Sequence, residues 1–251
     1  TIKVVPSIHP AAIYHQRVKR GRGQEKANPG KTEKHCRADW ARIAAEAQFP
    51  EVAVPTPRVV RIEEPHECDW FEDVLMRLDP ATVMTIDIEC PTGQIDCVGF
   101  AWEPTTTYGG VGRHPAASQA NITQRLRLIE LACRGPQPKV LQNGQFDVYW
   151  LWFKEGIRVA NYRYDCMTLA HMLDPIEDFD LATLKSLHLR GSYHKDEAKS
   201  PEKIKHYASQ FEALLGYNAM DCSDQIALFS VLRTKLHNVG RWNLYESMIA
   251  P

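Results

Sequence analysis

The stretch TVMTIDIEC, residues 82 to 90, constrains the fold of this chain more than any other. Met84, Ile86 and Ile88 alternate with Thr85, Asp87 and Glu89, the period of two expected of a β-strand. Side chains two apart on a strand share a face, so the carboxylates of Asp87 and Glu89 project together. Burying two like charges costs several kcal/mol unless something cationic sits between them. Taken alone, the pair reads more simply as a strand end where both acids reach water.

The residues that follow predict an α/β domain. CDWFEDVLMRL (68–78) reads as a helix, and IDCVGFAWE (95–103) and TTTYGGV (105–111) as strands after the one at 82–90. NITQRLRLIELAC (121–133) reads as a helix capped by Asn121. PKVLQNG (138–144) reads as a strand running straight into the helix QFDVYWLWFKEG (145–156). The remainder from Tyr164 is expected to be mainly helical. Strands first, then alternation with helices, indicate a mixed sheet covered by helices.

Two further groups of acids stand out. In LQNGQFDVYWLW, Asn143 is placed to cap the helix, and Asp147 lies one turn in among apolar residues, where the helix dipole favours an acid. In GYNAMDCSDQIAL, Tyr217 and Asp221 are four apart and stack on one helix face. Asp224 either shares that side or points to solvent. Each group has an ordinary structural reading by itself.

Their order changes the balance. A D-x-E on a strand, an N-x-x-F-D where a strand becomes a helix, and a Y-x-x-x-D on a late helix resemble the three motifs of the DEDD superfamily of 3′–5′ exonucleases. Tyr217 matches the DEDDy branch; Gly216 stands where the other branch carries His. YDCMTLAHMLDP, YHKDEAK and YNAMDC are similar to the proofreading exonuclease domains of family A DNA polymerases, particularly phage-type ones. The end, GRWNLYESMIAP, resembles the stretch leading into the polymerase domain. The resemblance covers residues 66 to 251.

This resemblance implies a ribonuclease H-like exonuclease fold, with a mixed central sheet flanked by helices and a short N-terminal extension. Residues 58–251 would be the exonuclease domain and 1–57 the extension. It implies hydrolysis of DNA, single-stranded, from the 3′ end by two divalent ions, Mg²⁺ or Mn²⁺, with nucleoside 5′-monophosphates as products. By the family's pattern Asp87 bridges both ions, Glu89 and Asp221 complete the shell of the water-activating one, and Asp147 holds the second through waters. Tyr217 orients the attacking water, and Asn143 and Phe146 contact the last nucleotides. Proofreading, DNA replication or repair would be its setting, with a polymerase domain in a longer parent protein. No synthesis is expected of this chain itself. A ribonuclease D-like enzyme trimming RNA and a catalytically silent nucleic-acid-binding module are the alternatives. Of the remaining residues, Phe100 and Trp102 read as core rather than base-stacking platforms, and Cys90, Cys97 and Cys222 as small core fillers. Asp165 and Asp174 read as caps or turn residues, and Lys195 as solvated surface or a phosphate contact.

The N-terminal region has a different texture. IKVV is strand-like and PSIHPAA turn-like, and a basic loop runs to His35 before the amphipathic helix RADWARIAAEA, with Trp40, Ile43 and Ala44 on one face. PEVAVPTPRVVRIEEP (50–65) reads as a Pro-rich linker. VVPSIHPAAI and the following helix resemble the end of a family 4-like uracil-DNA glycosylase domain, where His9 would lie in the uracil pocket. That family's first active-site motif and its iron–sulfur cysteines are absent, so no glycosylase activity is expected. Between Arg17 and Arg37, eight cations face two acids, a stretch suited to lie along a DNA backbone or to stay unstructured.

Composition bounds the partners. The formal charge is −1, so polyanion binding needs local patches or bound cations. The seven scattered cysteines (36, 68, 90, 97, 133, 166, 222) form no C-x-x-C pair, which argues for a reducing compartment and against a disulfide framework or zinc site. Neither a membrane span nor a signal peptide is read in the chain. A monomer in the cytoplasm, host cytoplasm if phage-encoded, is the expectation.

Overall fold

The computed structural model describes residues 29–48, 56–175, 179–189 and 201–249. The chain divides into two units, Thr1–Val54 and Pro55–Pro251. In the first, helix α1 (Pro29–Glu46) begins well before Arg37, where the helix was expected. Proline suits a first helical turn, and the exposed Glu33–Arg37 pair at 2.9 Å supports the extra turns by a few tenths of a kcal/mol. Trp40 and Ala44 are exposed and Ile43 half-buried, so their face is not a buried stripe. The IKVV strand, the turn around His9 and the basic stretch up to Asn28 lie outside the described residues, as does Lys195.

In the second unit six strands form one mixed sheet in the order β1-β4-β3-β2-β5-β6. They are β1 (Arg58–Arg61), β2 (Met84–Glu89), β3 (Cys97–Glu103), β4 (Thr106–Val111), β5 (Lys139–Leu141) and β6 (Tyr162–Asp165). The pairs β2–β3 and β3–β4 are antiparallel, whereas β1–β4, β2–β5 and β5–β6 are parallel. Strand β1 lies in the stretch read as a linker. It is four residues long, half-exposed and on the sheet edge, so it carries almost no alternating pattern. Strand β6 was read as helix because its Tyr164 and Asp165 run directly into the next helix.

Alternation along β2 and β3 sorts the core into two layers. Met84, Ile86, Ile88, Val98 and Phe100 pack with Phe71 and Leu75 of α2 (Pro65–Arg77), Leu128 and Ile129 of α3 (Ile122–Arg134) and Leu151 of α4 (Gln145–Glu155). Ala101 and Val140 face the other layer. Leu169 of α5 (Cys166–Leu173), Leu184 of α6 (Leu181–His188), and Cys222, Ile226 and Phe229 of α8 (Phe211–Asn238) fill it. Helix α7 (Pro201–Ser209) precedes α8. Phe100 and Trp102 belong to the first layer, where Trp102 stacks on Tyr108 with ring centroids 4.4 Å apart. Their core reading holds.

The helix starts are built by different means. Pro65 opens α2 behind a capping box in which Glu67 takes the Glu64 N–H at 2.9 Å. Asp165 caps α5 by accepting the Met167 N–H at 2.8 Å. Asn121 occupies the N-cap position of α3, but with φ 60° its side chain makes no capping bond. None of the seven cysteines forms a disulfide. No helix of the described residues is long and apolar enough to cross a membrane.

Candidate functional site

Strands β2, β5 and β6 run parallel, so their C-terminal ends meet at one edge of the sheet. That edge is where Asp87 and Glu89 lie, where β5 gives way to Asn143 and α4, and where Asp165 starts α5. Pairing between β2 and β5 stops at Thr85 and Val140. Beyond it the strands part, and Asp147 Oδ1 accepts the Ile88 N–H at 3.1 Å in place of a ladder partner. Asp147 therefore reaches the strand end from the α2–α3–α4 layer.

Asp221 comes from the opposite layer, on α8. One ligating oxygen from each of Asp87, Glu89 and Asp221 lies within 4.8 Å of the other two. Asp221 is buried, and the other two are half-buried. Asp147 is not in that trio, but its carboxyl sits close enough to feel it. Burial first, and the Asp87 charge second, raise its pKa well above the ordinary carboxylate value, while the Ile88 N–H works the other way. Such a set of hard oxygen donors suits Mg²⁺ or Mn²⁺ rather than a thiol-loving metal. The nearby thiols are poor competitors, since burial holds Cys90 up at about 12 and raises Cys222 well above the ordinary thiol value.

Asp87 is oriented by amides that the sequence reading did not single out. Asn218 Nδ2 donates to its Oδ2 at 2.7 Å and to its backbone carbonyl at 3.1 Å. Gln225 Nε2 donates to Oδ1 at 2.6 Å, and Gln225 Oε1 accepts from the Thr85 hydroxyl at 2.6 Å. Asn218, Asp221 and Gln225 follow an i, i+3, i+7 spacing, a polar stripe on one side of the helix, which was the available signal. Gly99, opposite Asp87 on β3, makes this approach sterically feasible. A Cβ there would collide with the Asn218 amide and the Cys222 sulfur.

Tyr217 lies one turn before Asp221 on α8. Its phenol is pushed well above its ordinary pKa, by burial first, then by the charges of Asp221, Glu89 and Asp87, with a hydrogen bond to Asp221 adding to the shift. Its ring packs on Tyr207, centroids 5.2 Å apart. Asp224, by contrast, neither joins the acids nor points to solvent; it is buried against Lys185 Nζ at 2.7 Å.

Asn143 does not cap α4 with its side chain. It adopts φ 55°, and Gly144 takes the N-cap position. The turn is held from below by Asp165, whose Oδ2 accepts the Gly144 N–H at 2.9 Å and the Tyr162 hydroxyl at 2.5 Å. Asp165 thus caps α5 and sets the entry of α4, and with it Asp147. Asn143 and Phe146 are exposed at this edge.

No protein-family model matches the chain, and no curated protein does. Among solved structures it is similar to the catalytic core of RRP6 from Trypanosoma brucei, at 14% identity and a TM-score of 0.55 over 82% of this chain. That match spans 57% of the RRP6 core. It is also similar to the EXO domain of Nibbler from Aedes aegypti, at 13% identity and a TM-score of 0.57, covering 76% of this chain and 96% of that domain. A third similar structure is a nuclease solved in its apo form, at 18% identity and a TM-score of 0.54, with 76% and 87% covered. The fold is the ribonuclease H-like exonuclease fold, a six-stranded mixed sheet flanked by helices.

Proposed function

We propose that residues 58–251 form a two-metal-ion 3′–5′ exonuclease that removes nucleotides from the 3′ end of single-stranded DNA, with residues 1–57 as an extension. The observation that supports this reading most is the meeting of Asp87, Glu89 and Asp221 oxygens within 4.8 Å at the end of β2. Like charges so close repel one another unless a cation lies among them. Divalent ions bound there would supply a nucleophile at neutral pH and neutralise charge on the attacking and leaving oxygens.

The chain's own groups then have distinct tasks. Asp87, Glu89 and Asp221 hold the ions, and Asp147, anchored on the Ile88 N–H, serves the second. Tyr217, kept as a phenol, orients water through its hydroxyl rather than removing a proton. Asn143 and Phe146, exposed beside Asp147, contact the last nucleotides. The preference for DNA rests on the polymerase-like segments around Tyr164 and Tyr217, which also suggest a proofreading role within a longer protein. Recognition of the ribose 2′-OH would instead mark an RNA-trimming enzyme.

The test uses 3′- and 5′-labelled single strands of DNA and RNA with Mg²⁺, Mn²⁺ or chelator, beside Asp87→Ala. A stepwise ladder from the 3′ end of DNA, abolished by chelator and by the substitution, is expected. Trimming that persists in chelator would end the metal-dependent reading, and faster trimming of RNA would reassign the substrate.

A further inference from the structure

Helix α4 has a second face that the acids leave unused. Asp147 and Leu151 point inward, while Tyr149, Trp152 and Phe153 are 53, 55 and 59% exposed on the outward side. A contiguous exposed aromatic surface of this kind marks a binding face. Tyr149 and Phe153, one turn apart, lie parallel, with centroids 5.4 Å apart and planes 7° from each other. The Lys154 ammonium sits 5.0 Å over the Trp150 ring and 5.6 Å over that of Phe153.

Flat rings interleaved with a cation are what an unpaired nucleic-acid strand requires, because every base offers a π-face and every linkage a negative charge. A lipid or a wholly apolar protein surface would strip water from Lys154 without replacing it, whereas a phosphate neutralises it. The face is also continuous with the acid cluster. Phe146, next to Asp147, begins the stripe. A rise of about 1.5 Å per residue carries it roughly 10 Å on to Phe153, enough for about three bases stacked ~3.4 Å apart.

We propose that the outward face of α4, made by Tyr149, Trp152, Phe153 and Lys154, is a stacking track for unpaired DNA nucleotides upstream of the 3′ end. This rests on the exonuclease reading and extends it beyond the nucleotides at Asn143 and Phe146. A base-paired duplex hides its base faces, so the track selects single strands.

The experiment compares labelled oligothymidylates, a dinucleotide and a strand of about ten nucleotides, the latter matched to the span of an extended binding groove. Affinity is measured in chelator, and hydrolysis with Mg²⁺, for the full chain and for Tyr149→Ala/Trp152→Ala/Phe153→Ala. The triple variant is expected to bind the long strand at least about tenfold more weakly while cleaving the dinucleotide normally. Tyr149→Phe/Trp152→Phe is expected to keep the affinity, which separates stacking from misfolding. Undiminished long-strand affinity in the triple variant would overturn the track, as would an equal loss for the dinucleotide. A change in oligomeric state with strand affinity intact would make this face a contact between copies instead. If the wild type binds the long strand through these residues yet hydrolyses neither substrate, the exonuclease reading fails and the track stands.

Discussion

Asp221 and Asp224 are three residues apart on α8, and both are buried. Asp224 meets the Lys185 ammonium at 2.7 Å, an arrangement in which the protein supplies its own counter-charge. Asp221 meets Asp87 and Glu89, an arrangement in which it supplies more of the same charge. The first is complete as a structural element: removing either partner strands a charge, while replacing both with apolar groups is tolerated. On the proposed reading, the second is complete only with a cation from outside. Two acids of the same type on one helix then serve, on that reading, stability in one case and chemistry in the other, and the neighbour decides which.

The largest expected effect breaks the chemical side of this contrast. Asp87→Asn or Asp221→Asn should slow 3′ trimming by roughly a thousandfold or more, the equivalent of several kcal/mol of transition-state stabilisation. Without metal, Asp221→Asn should melt no lower than the wild type, since it relieves like-charge repulsion, whereas Asp87→Asn also sets an amide donor against Asn218 or Gln225. Asp224→Asn breaks the structural side. It leaves Lys185 buried without its carboxylate and should cost about 3–5 kcal/mol, roughly 10 °C in the melting transition. Lys185→Met/Asp224→Leu should recover most of that loss in the same thermal scan.

A smaller effect belongs to the amides that orient Asp87. Gln225→Leu should weaken metal activation about 10- to 100-fold, read as the Mn²⁺ concentration giving half-maximal rate, with little change in rate at saturation. A third kind of buried charge sharpens the comparison further. Lys139 is buried with its Nζ on the Gly135 carbonyl, and burial lowers its pKa to about 8. The folded pKa lies below the unfolded value of about 10.4, so the unfolded chain holds more protons between them and stability from this group rises with pH. Lys139→Met should therefore gain most over the wild type below pH 8. Denaturant midpoints should show that advantage shrinking as pH climbs through the window. The smallest change is Gly216→Ala, at an exposed helical site with open space around it, expected to add about 0.5–1 kcal/mol.

Strands β2 to β5 were readable as short runs between turn residues, and helices α2, α3, α4 and α8 as runs too long for strands. Strand β1 was not, since four half-exposed residues between prolines have no pattern to read. Strand β6 was masked by its abrupt junction with α5. The acids were legible as three spaced motifs, and the fold gathers three of them directly, with Asp147 alongside. What sequence could not display is non-local. Asn218 and Gln225 reach Asp87 only because α8 lies across β3, an approach that Gly99 permits by having no side chain. Asp224 was ambiguous for the same reason, as Lys185 becomes its neighbour only once α6 packs on α8.

The central claim, that the acids at the end of β2 gather to bind divalent cations, is tested most directly by thermal unfolding of the full chain during an Mn²⁺ titration without nucleic acid. A rise that grows with the logarithm of Mn²⁺ concentration is expected for the wild type, reaching about 2.7 kcal/mol at a hundredfold excess over Kd. It should be largely lost in Asp87→Asn and in Asp221→Asn. No rise in the wild type, or an equal rise in those two variants, would contradict the account.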